Sequence, residues 1–336
     1  MKKKIISVLK FLLFFAIGIF FIWLVVRKLT PAQEKDILNS FRQADYKWII
    51  LLVIFGILSN VFRTIRWQIL LEPLKYKPKF KNVFLAVLIG YFANLALPRL
   101  GEVSRCSVLT KYEKIPFNKS FGTVITERAV DVISFILLFI INFYLQFEKL
   151  HSFIYKNVYI PLLKKFPNAE SPVIYIILSL IVIIIILFFV FRKKISNKDI
   201  YKKIKNILYG FLEGIKSIVK IKKPVLFIFH TLLIWISYLL MAYICFNCFP
   251  ETSSLGIGVG LSVLVFASVG MMIVQGGIGV YPAIVLETLA VYGVSKTSAY
   301  AMGWLLWSSQ TIMIIVAGSL ALILLPILNK NKNGKI

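Results

Sequence analysis

Long apolar runs, separated by shorter polar and basic connections, recur along the whole chain. A helix of about 20 predominantly apolar residues is long enough to cross the hydrocarbon core of a bilayer. In residues 174–191, Ser179 is the only polar residue when tyrosine is counted as apolar. The pattern predicts an all-α polytopic integral membrane protein with about six full spans, at residues 5–26, 48–71, 120–145, 171–191, 224–249 and 299–326.

The distribution of basic residues predicts which connections face the cytoplasm. Cytoplasmic loops carry an excess of Lys and Arg, and 26 of the 36 basic residues outside the predicted spans fall in five connections. These connections are residues 2–4, 72–81, 99–119, 192–223 and 327–336. We therefore predict a multi-pass protein of the cell (inner) membrane with both termini cytoplasmic, in which residues 192–223 form a basic cytoplasmic linker.

Two further apolar stretches do not fit as simple spans. A single crossing at 82–98 would place the basic connections that flank it on opposite faces of the membrane. Residues 255–298 must likewise return to their own, external face if the C-terminus is to end inside. We therefore predict two re-entrant hairpins, one from each face. Non-helical backbone at membrane depth is tolerated only where protein or water surrounds it, so two hairpins imply a cavity.

A weak internal similarity agrees with this topology. The five residues from Pro98 to Glu102 can be aligned with those from Gly276 to Val280. The sequence is then a single transmembrane domain, 1–336, with possible inverted half-repeats at 48–145 and 224–326. Inverted repeats with interrupted helices are typical of transporters. Because identities are few, a chance similarity is the alternative.

Composition and charge exclude several classes of protein. The net charge of +26 would suit nucleic-acid binding, but the basic residues lie between apolar runs, so no nucleic-acid partner is expected. Cys245 and Cys248 form one CxxC without a second pair, and the two histidines are far apart, so neither a metal site nor a cofactor is predicted. The sequence has no Walker loop, Ser/His/Asp set or HExxH motif, so we do not expect an enzyme.

The first candidate binding segment runs from Asn94 to Arg105. Pro98 ends the preceding helix, and Gly101 allows a tight turn. Three ionisable side chains follow at intervals of three, on adjoining turns of a helix that begins here: Arg99, Glu102 and Arg105. The pattern favours a binding segment, and an ordinary basic loop with one ion pair is the alternative.

The second candidate lies inside the predicted span 120–145. Glu127 and Asp131 are four residues apart on one helix face, with Arg128 beside them. Ionisable groups at membrane depth usually face a bundle interior or a cavity. They predict either a functional cluster or a structural ion pair that joins two helices.

The third candidate is the glycine-rich segment that contains Gln275, Gly276, Gly277 and Gly279. Its backbone N–H groups and the following helix N-terminus could hold an anion, and close helix packing is an equal alternative. Glu287 and Gln310 are weaker polar candidates. For Arg63 and Arg66, snorkelling to the interface is a sufficient explanation, with a phosphate contact as the alternative.

These three segments together resemble the membrane domain of lysylphosphatidylglycerol synthase/flippase proteins, a family that includes standalone members. The resemblance covers about residues 5–326, with the motifs in the family's order and spacing. It departs from the family pattern at three positions: Arg99 where a Gly is typical, Gln275 where a Pro is typical, and Trp307 where an Arg is typical. Because only ten residues follow the last predicted span, we expect no aminoacyl-transfer domain.

The resemblance implies a lipid flippase that moves a polar-headed or isoprenoid-linked lipid between leaflets. We predict phosphate contacts from Arg99, Arg105 and Arg128, with Glu102, Glu127 and Asp131 holding these arginines or relaying protons. Because three arginines are balanced by three acids, the predicted site has no strong preference for an anionic headgroup. The alternatives are a scaffold that presents lipid to a separate glycosyltransferase or aminoacyltransferase, and a small-solute or ion transporter. Membrane lipid is the expected partner, with a lipid-modifying enzyme and a second copy of the chain as further possible partners.

Overall fold

The computed structural model describes residues 19–155 except 21, 24, 28 and 98, together with residue 160 and residues 221–330. This part of the chain contains helices and no strand, which confirms the all-α prediction. Its α-helices are α1 Pro31–Gln43, α2 Lys47–Leu71, α3 Phe80–Ala96, α4 Leu100–Glu113, α5 Phe117–Leu145, α6 Phe147–Ile154, α7 Pro224–Cys245, α8 Ile257–Ile273, α9 Val280–Ala290 and α10 Lys296–Leu328.

Three of the predicted spans correspond to helices that are long and apolar enough to cross a membrane. With their 3₁₀ extensions these helices are Lys47–Leu74, Pro224–Cys248 and Lys296–Leu328. An exposed apolar stripe follows one face of α10: Ile312, Val316, Leu320, Ile323 and Ile327. Such a stripe suits contact with lipid tails. The span 171–191, most of the span 5–26 and nearly all of the linker 192–223 lie outside the described residues, so the count of six spans stays a prediction.

Helices α3 and α4 form the first predicted hairpin. At its base the Asn82 amide donates a hydrogen bond to the Glu113 carboxylate. Next to the turn, the Gly101 N–H donates to Asn94 Oδ1 over 2.7 Å. A Cβ on Gly101 would lie 2.1 Å from the Gly90 carbonyl oxygen, so the two arms approach too closely for any other residue. Gly101 is therefore required by packing.

The bounds of this hairpin differ from the predicted ones. Helix α3 continues without a break to Ala96, and the returning arm is formed by residues 100–113. The segment 99–119 is predicted to be a cytoplasmic connection, and most of it is instead helix α4, the returning arm of the hairpin. The prediction was wrong because α4 is too rich in polar residues to show an apolar pattern. Its charged side chains Glu102 and Arg105 pair with charges of α5, whereas Lys111 is exposed.

Helices α8 and α9 form the second hairpin. Its turn contains three glycines with φ near +70°, a conformation that other residues rarely adopt: Gly276, Gly277 and Gly279. The Trp307 indole of α10 donates a hydrogen bond to the Gly276 carbonyl over 2.6 Å and thereby holds the turn against the long helix. Both predicted interruptions are thus present.

The two hairpins have their bases at opposite ends of the long helices. At the first base, Asn82 hydrogen-bonds Asn329, which follows the last turn of α10. At the second base, the Ser262 hydroxyl of α8 donates to Asn142 over 2.8 Å. Asn142 lies 25 residues from the start of α5, which is about 38 Å along the helix. This arrangement supports hairpins that enter from opposite faces of the membrane.

Single cysteines placed at the two bases test this topology. We expect Lys79→Cys, at the first base, to react with a membrane-impermeant maleimide only from the cytoplasmic side. Ser254→Cys, before α8, should react only from the outside, because both positions are exposed at opposite ends of the helices. The native cysteines at 106, 245 and 248 are buried, so background labelling should be low. Labelling of both positions from the same side would contradict the arrangement.

Candidate functional site

The carboxylates of α5 meet two arginines of α2 in the interior of the bundle. Arg63 Nη1 contacts both Glu127 Oε1 and Asp131 Oδ2, the latter at 2.9 Å. Arg66 Nη2 lies 2.7 Å from Asp131 Oδ1 and 3.3 Å from Glu127 Oε1. Three of these four side chains are at most 5% exposed, and Asp131 is 13% exposed. Each arginine therefore bridges both carboxylates.

The first hairpin adds two more ion pairs from α4. Arg105 Nη1 lies 3.1 Å from Glu127 Oε2, and its guanidinium group stacks over the Trp67 ring at 4.8 Å. Glu102 accepts a hydrogen bond from Arg128 Nη2 over 2.8 Å. The charged residues of α5 thus approach the segment 99–105, as the sequence predicted. We call the following set the charge cluster: Arg63, Arg66, Glu102, Arg105, Glu127, Arg128 and Asp131.

Arg63 and Arg66 do not snorkel to the interface. They are 4% and 0% exposed, so that prediction was wrong. Leaving a charged side chain in the membrane costs about 2.5–3.5 kcal/mol on insertion scales, and pairing with the carboxylates of α5 offsets this cost. A sequence signal was present, because polar residues recur at helical spacing along α2: Ser59, Asn60, Arg63, Thr64 and Arg66.

The charge cluster contains four arginines and three acids, which gives it a formal charge of +1. The sequence predicted three arginines and three acids in the site. The observed numbers differ because Arg63 and Arg66 belong to the charge cluster and Arg99 does not. A buried site with excess positive charge favours an anion.

Several guanidinium donors of the charge cluster are unused. Within the described ranges, the Nε atoms of all four arginines and Nη2 of Arg105 are buried and have no hydrogen-bond acceptor. Arg66 Nη2 and Asp131 Oδ1 form an ion pair but no hydrogen bond, because neither atom has a hydrogen-bond partner with suitable geometry. Buried donors normally find acceptors. The unused donors therefore leave hydrogen-bonding capacity for a further acceptor, of which a phosphate oxygen is a strong example.

Arg99 lies at the turn of the first hairpin and outside the charge cluster. Its side chain is exposed and makes no ion pair with any described residue. Its backbone adopts φ +64°, a conformation that favours glycine. The resemblance implies glycine at this position, and the positive φ agrees with that expectation. A phosphate contact from Arg99 stays a prediction.

Replacing Arg99 with glycine is expected to stabilise the protein. A left-handed conformation costs a residue with a Cβ about 1 kcal/mol or more, and glycine avoids this cost. Thermal unfolding in detergent should show a higher midpoint for Arg99→Gly than for the wild type. The matched control is Arg99→Ala, which removes the same charge but keeps the Cβ, and it should show no comparable gain. A lower midpoint for Arg99→Gly would mean that the arginine side chain stabilises the turn.

The glycines of the second hairpin shape its turn and do not join the charge cluster. Positive φ explains three of them, and a Cβ on Gly277 would also lie 2.4 Å from the Met271 sulfur. Close packing, one of the two interpretations left open by the sequence, accounts for Gly277, whereas nothing lies within 4 Å of a Cβ on Gly276. Anion binding by the backbone of this turn stays a prediction. The side chain of Gln275 lies outside the described part of the structure, and Glu287 is exposed.

A cavity of about 320 Å³ adjoins the charge cluster. Four methionines are among its lining residues: Met241, Met271, Met272 and Met313. Its polar lining consists of hydroxyl and amide side chains: Ser59, Asn60, Tyr91, Tyr238, Ser268, Tyr281 and Gln310. None of the described residues that line it is charged. Met271 and Met272 are 42% and 64% exposed, which places the mouth of the cavity beside them.

Two tyrosines separate this cavity from the charge cluster. The Tyr238 hydroxyl accepts a hydrogen bond from Arg63 Nη2 over 3.3 Å, and it lies 3.4 Å from the Tyr91 hydroxyl. Tyr91 also lines a second space of about 10 Å³ between the hairpin arms, together with Arg105 and Arg128. This space is about the size of one water molecule. Sequence reasoning missed both tyrosines.

A UPF0104 membrane protein of Methanocaldococcus jannaschii is 38% identical over 103 residues, which are 29% of this chain and 31% of that relative. A UPF0104 membrane protein of Methanothermobacter thermautotrophicus is 24% identical over 307 residues, covering 85% of this chain and 86% of the relative. The first match therefore spans less than a third of that relative's length. No solved structure matches this chain.

The family described as the lysylphosphatidylglycerol synthase TM region matches residues 8–319. This match covers nearly the whole chain, including the helices that carry the charge cluster and both hairpins. The protein therefore belongs to the lysylphosphatidylglycerol synthase transmembrane-region family, a membrane protein family whose membership implies a lipid-related role.

Proposed function

We propose that this protein translocates a lipid with an anionic polar headgroup between the two leaflets of the membrane. The observation that carries the proposal is the charge cluster, which is buried, has a net positive charge and holds unused guanidinium donors beside a cavity. Guanidinium groups bind phosphate oxygens strongly and with directional hydrogen bonds. A lipid phosphate fits this chemistry.

The mouth of the cavity supports a lipid over a small soluble anion. Met271 and Met272 at the mouth are apolar and exposed, so acyl or isoprenoid chains could pass between them into the surrounding bilayer. The headgroup would then enter the protein while the chains stay in the hydrocarbon. A transporter of small solutes has no need for such an apolar opening.

The two hairpins support movement across the membrane. The turn of the second hairpin reaches the first hairpin, because the segment Gln275–Gly277 contacts α3. Interrupted helices that meet near the middle of a bundle are typical of alternating-access transporters. Relative movement of the hairpins would expose the cavity first to one leaflet and then to the other.

A second candidate function is a scaffold that presents a lipid to a separate lipid-modifying enzyme. The observation that favours it is the family description, which names a synthase. A scaffold needs the binding site but does not need to move the headgroup across the bilayer. Translocation therefore distinguishes the two functions.

Reconstitution of the purified chain into vesicles tests the proposal. Fluorescent phosphatidylglycerol in the inner leaflet is protected from dithionite, and translocation would remove this protection. We expect rapid loss of protection in vesicles that contain the protein and slow loss in empty vesicles. Uptake of radiolabelled phosphate or glycerol phosphate in place of lipid movement would indicate a solute transporter. No movement of either, with lipid still bound, would favour the scaffold.

A further inference from the structure

The larger cavity does not reach the arginines of the charge cluster. Its described lining carries no charged side chain, and Arg63 contacts both Tyr91 and Tyr238, which do line it. A headgroup in the cavity can therefore contact Arg63 only if a tyrosine gives way. We infer that Tyr238 is a positioning residue, whose hydroxyl occupies the place of a headgroup phosphate at Arg63 until a lipid displaces it. This inference rests on the proposed function and adds a residue to its site.

The hydrogen bond between Arg63 and Tyr238 is one that a phosphate can replace. Arg63 Nη1 is used by Glu127 and Asp131, whereas Nη2 donates to the Tyr238 hydroxyl over 3.3 Å. This is longer than the distance of about 2.9–3.0 Å at which N–H···O bonds are most common. A phosphate oxygen in the same place would accept a charge-assisted hydrogen bond, which is roughly twice as strong as one to a neutral acceptor. The phosphate is thus the better acceptor.

Tyr91 contacts the same arginine in a different way. The Arg63 guanidinium carbon lies 5.8 Å from the centre of the Tyr91 ring, and the Tyr91 hydroxyl lies 3.4 Å from that of Tyr238. Tyr91 also forms part of the wall between the cavity and the small space beside Arg105 and Arg128. Since Tyr91 contacts Arg63 through its ring, its hydroxyl does not stand in for a phosphate. Tyr91 is therefore the matched control for Tyr238.

The surroundings of Tyr238 leave its ring room to move. The ring packs edge-on against Trp235, with ring centres 5.9 Å apart, and it also lines the cavity of about 320 Å³. A cavity of this size can hold several water molecules. The side chain can therefore swing into this space without displacing the helix that carries it. That movement frees Arg63 Nη2 for the headgroup.

Lipid binding by the full-length protein in detergent tests the inference. By native mass spectrometry, Tyr238→Phe should bind phosphatidylglycerol about two- to tenfold more tightly than the wild type, which is the effect of one neutral hydrogen bond. Tyr91→Phe should bind it as the wild type does. Diacylglycerol, which lacks the phosphate, should show no gain with either variant. Unchanged or weaker binding of phosphatidylglycerol by Tyr238→Phe would overturn the inference, as would an equal gain for diacylglycerol or for Tyr91→Phe.

A second measurement leaves the hydroxyl in place, so it does not depend on the folding of Tyr238→Phe. Fluorotyrosine at position 238 reports on the surroundings of this side chain through its fluorine NMR signal. We expect phosphatidylglycerol to shift the signal and diacylglycerol to leave it unchanged, because only the phosphate displaces the hydroxyl. A signal that does not respond to saturating phosphatidylglycerol would contradict the displacement.

Translocation in the dithionite assay separates this inference from the proposed function. If Tyr238→Phe binds phosphatidylglycerol more tightly but no lipid crosses the membrane with either protein, the role of Tyr238 stands and the flippase proposal fails. If the wild type moves lipid while Tyr238→Phe shows no gain in binding, the flippase proposal stands and the role of Tyr238 fails. Lipid movement by the wild type together with tighter binding by Tyr238→Phe supports both.

Discussion

Replacing Glu127 with glutamine is expected to destabilise the protein by about 3–5 kcal/mol, the usual cost of removing one partner from a buried ion pair. Glu127 is fully buried and contacts Arg63, Arg66 and Arg105. The change raises the formal charge of the cluster from +1 to +2 and leaves these arginines with fewer acceptors. Since a folded domain is stable by only about 5–15 kcal/mol, the loss should be large. Thermal unfolding and the yield of monodisperse protein in detergent would measure it.

The double variant Glu127→Gln with Arg105→Met provides the control. It removes one charge of each sign, so the cluster returns to a formal charge of +1. We expect it to be more stable than Glu127→Gln alone, because fewer buried arginines lack a partner. If the double variant is less stable than Glu127→Gln by as much as Arg105→Met alone destabilises the wild type, the two side chains contribute no interaction energy to each other. The description of Arg105 and Glu127 as an ion pair would then be wrong.

The sequence predicted the helical class and the interruptions because these depend on local signals. Apolar runs of span length specify long helices, and Gly276, Gly277 and Gly279 break the pattern where the backbone takes positive φ. The depth of Glu127 and Asp131 within an apolar run likewise predicted an interior position, since charges against lipid are costly. Each of these inferences uses residues that are close in sequence.

The sequence did not predict the composition of the charge cluster. An arginine near a helix end can snorkel, so the sequence predicts an interface position for Arg63, and only packing shows that α5 covers it. The polar residues of helix α4 form no apolar run, so the sequence places this helix in a cytoplasmic connection, and the burial of Arg105 depends on its contact with Glu127 of α5. The roles of Tyr91 and Tyr238 depend on a contact between two helices 147 residues apart, and no local pattern marks them.

The charge cluster has a fully buried side and an accessible side, and these differ in what they contribute. Glu127, Arg66 and Arg63 are enclosed and join the helices, so we expect their replacement to cost stability. Arg128 has 43% of its side chain exposed and one close partner in the described part of the chain, Glu102 at 2.8 Å. Arg128 is therefore the arginine whose removal separates binding from folding.

Replacing Arg128 with alanine is expected to slow lipid translocation about 10- to 100-fold with little change in thermal stability. Hydrogen bonds to charged groups contribute about 1.5–3 kcal/mol, which corresponds to this range if Arg128 contacts the headgroup. The change also lowers the formal charge of the cluster from +1 to zero. Glu102 is left without its arginine, but its side chain is 18% exposed and water can reach it. The dithionite assay would measure translocation, with the unfolding midpoint measured on the same preparation.

Two controls make this result interpretable. Lys111→Ala removes a positive charge from the exposed end of α4, outside the charge cluster, and should leave translocation unchanged. Arg128→Lys keeps the charge but loses the planar guanidinium group, and it should fall between the wild type and Arg128→Ala. A reduced folded yield with normal activity per folded molecule would show that Arg128 is only a structural partner of Glu102. Normal yield together with normal translocation would reject both roles, since removal of the cluster's excess positive charge would then have no consequence.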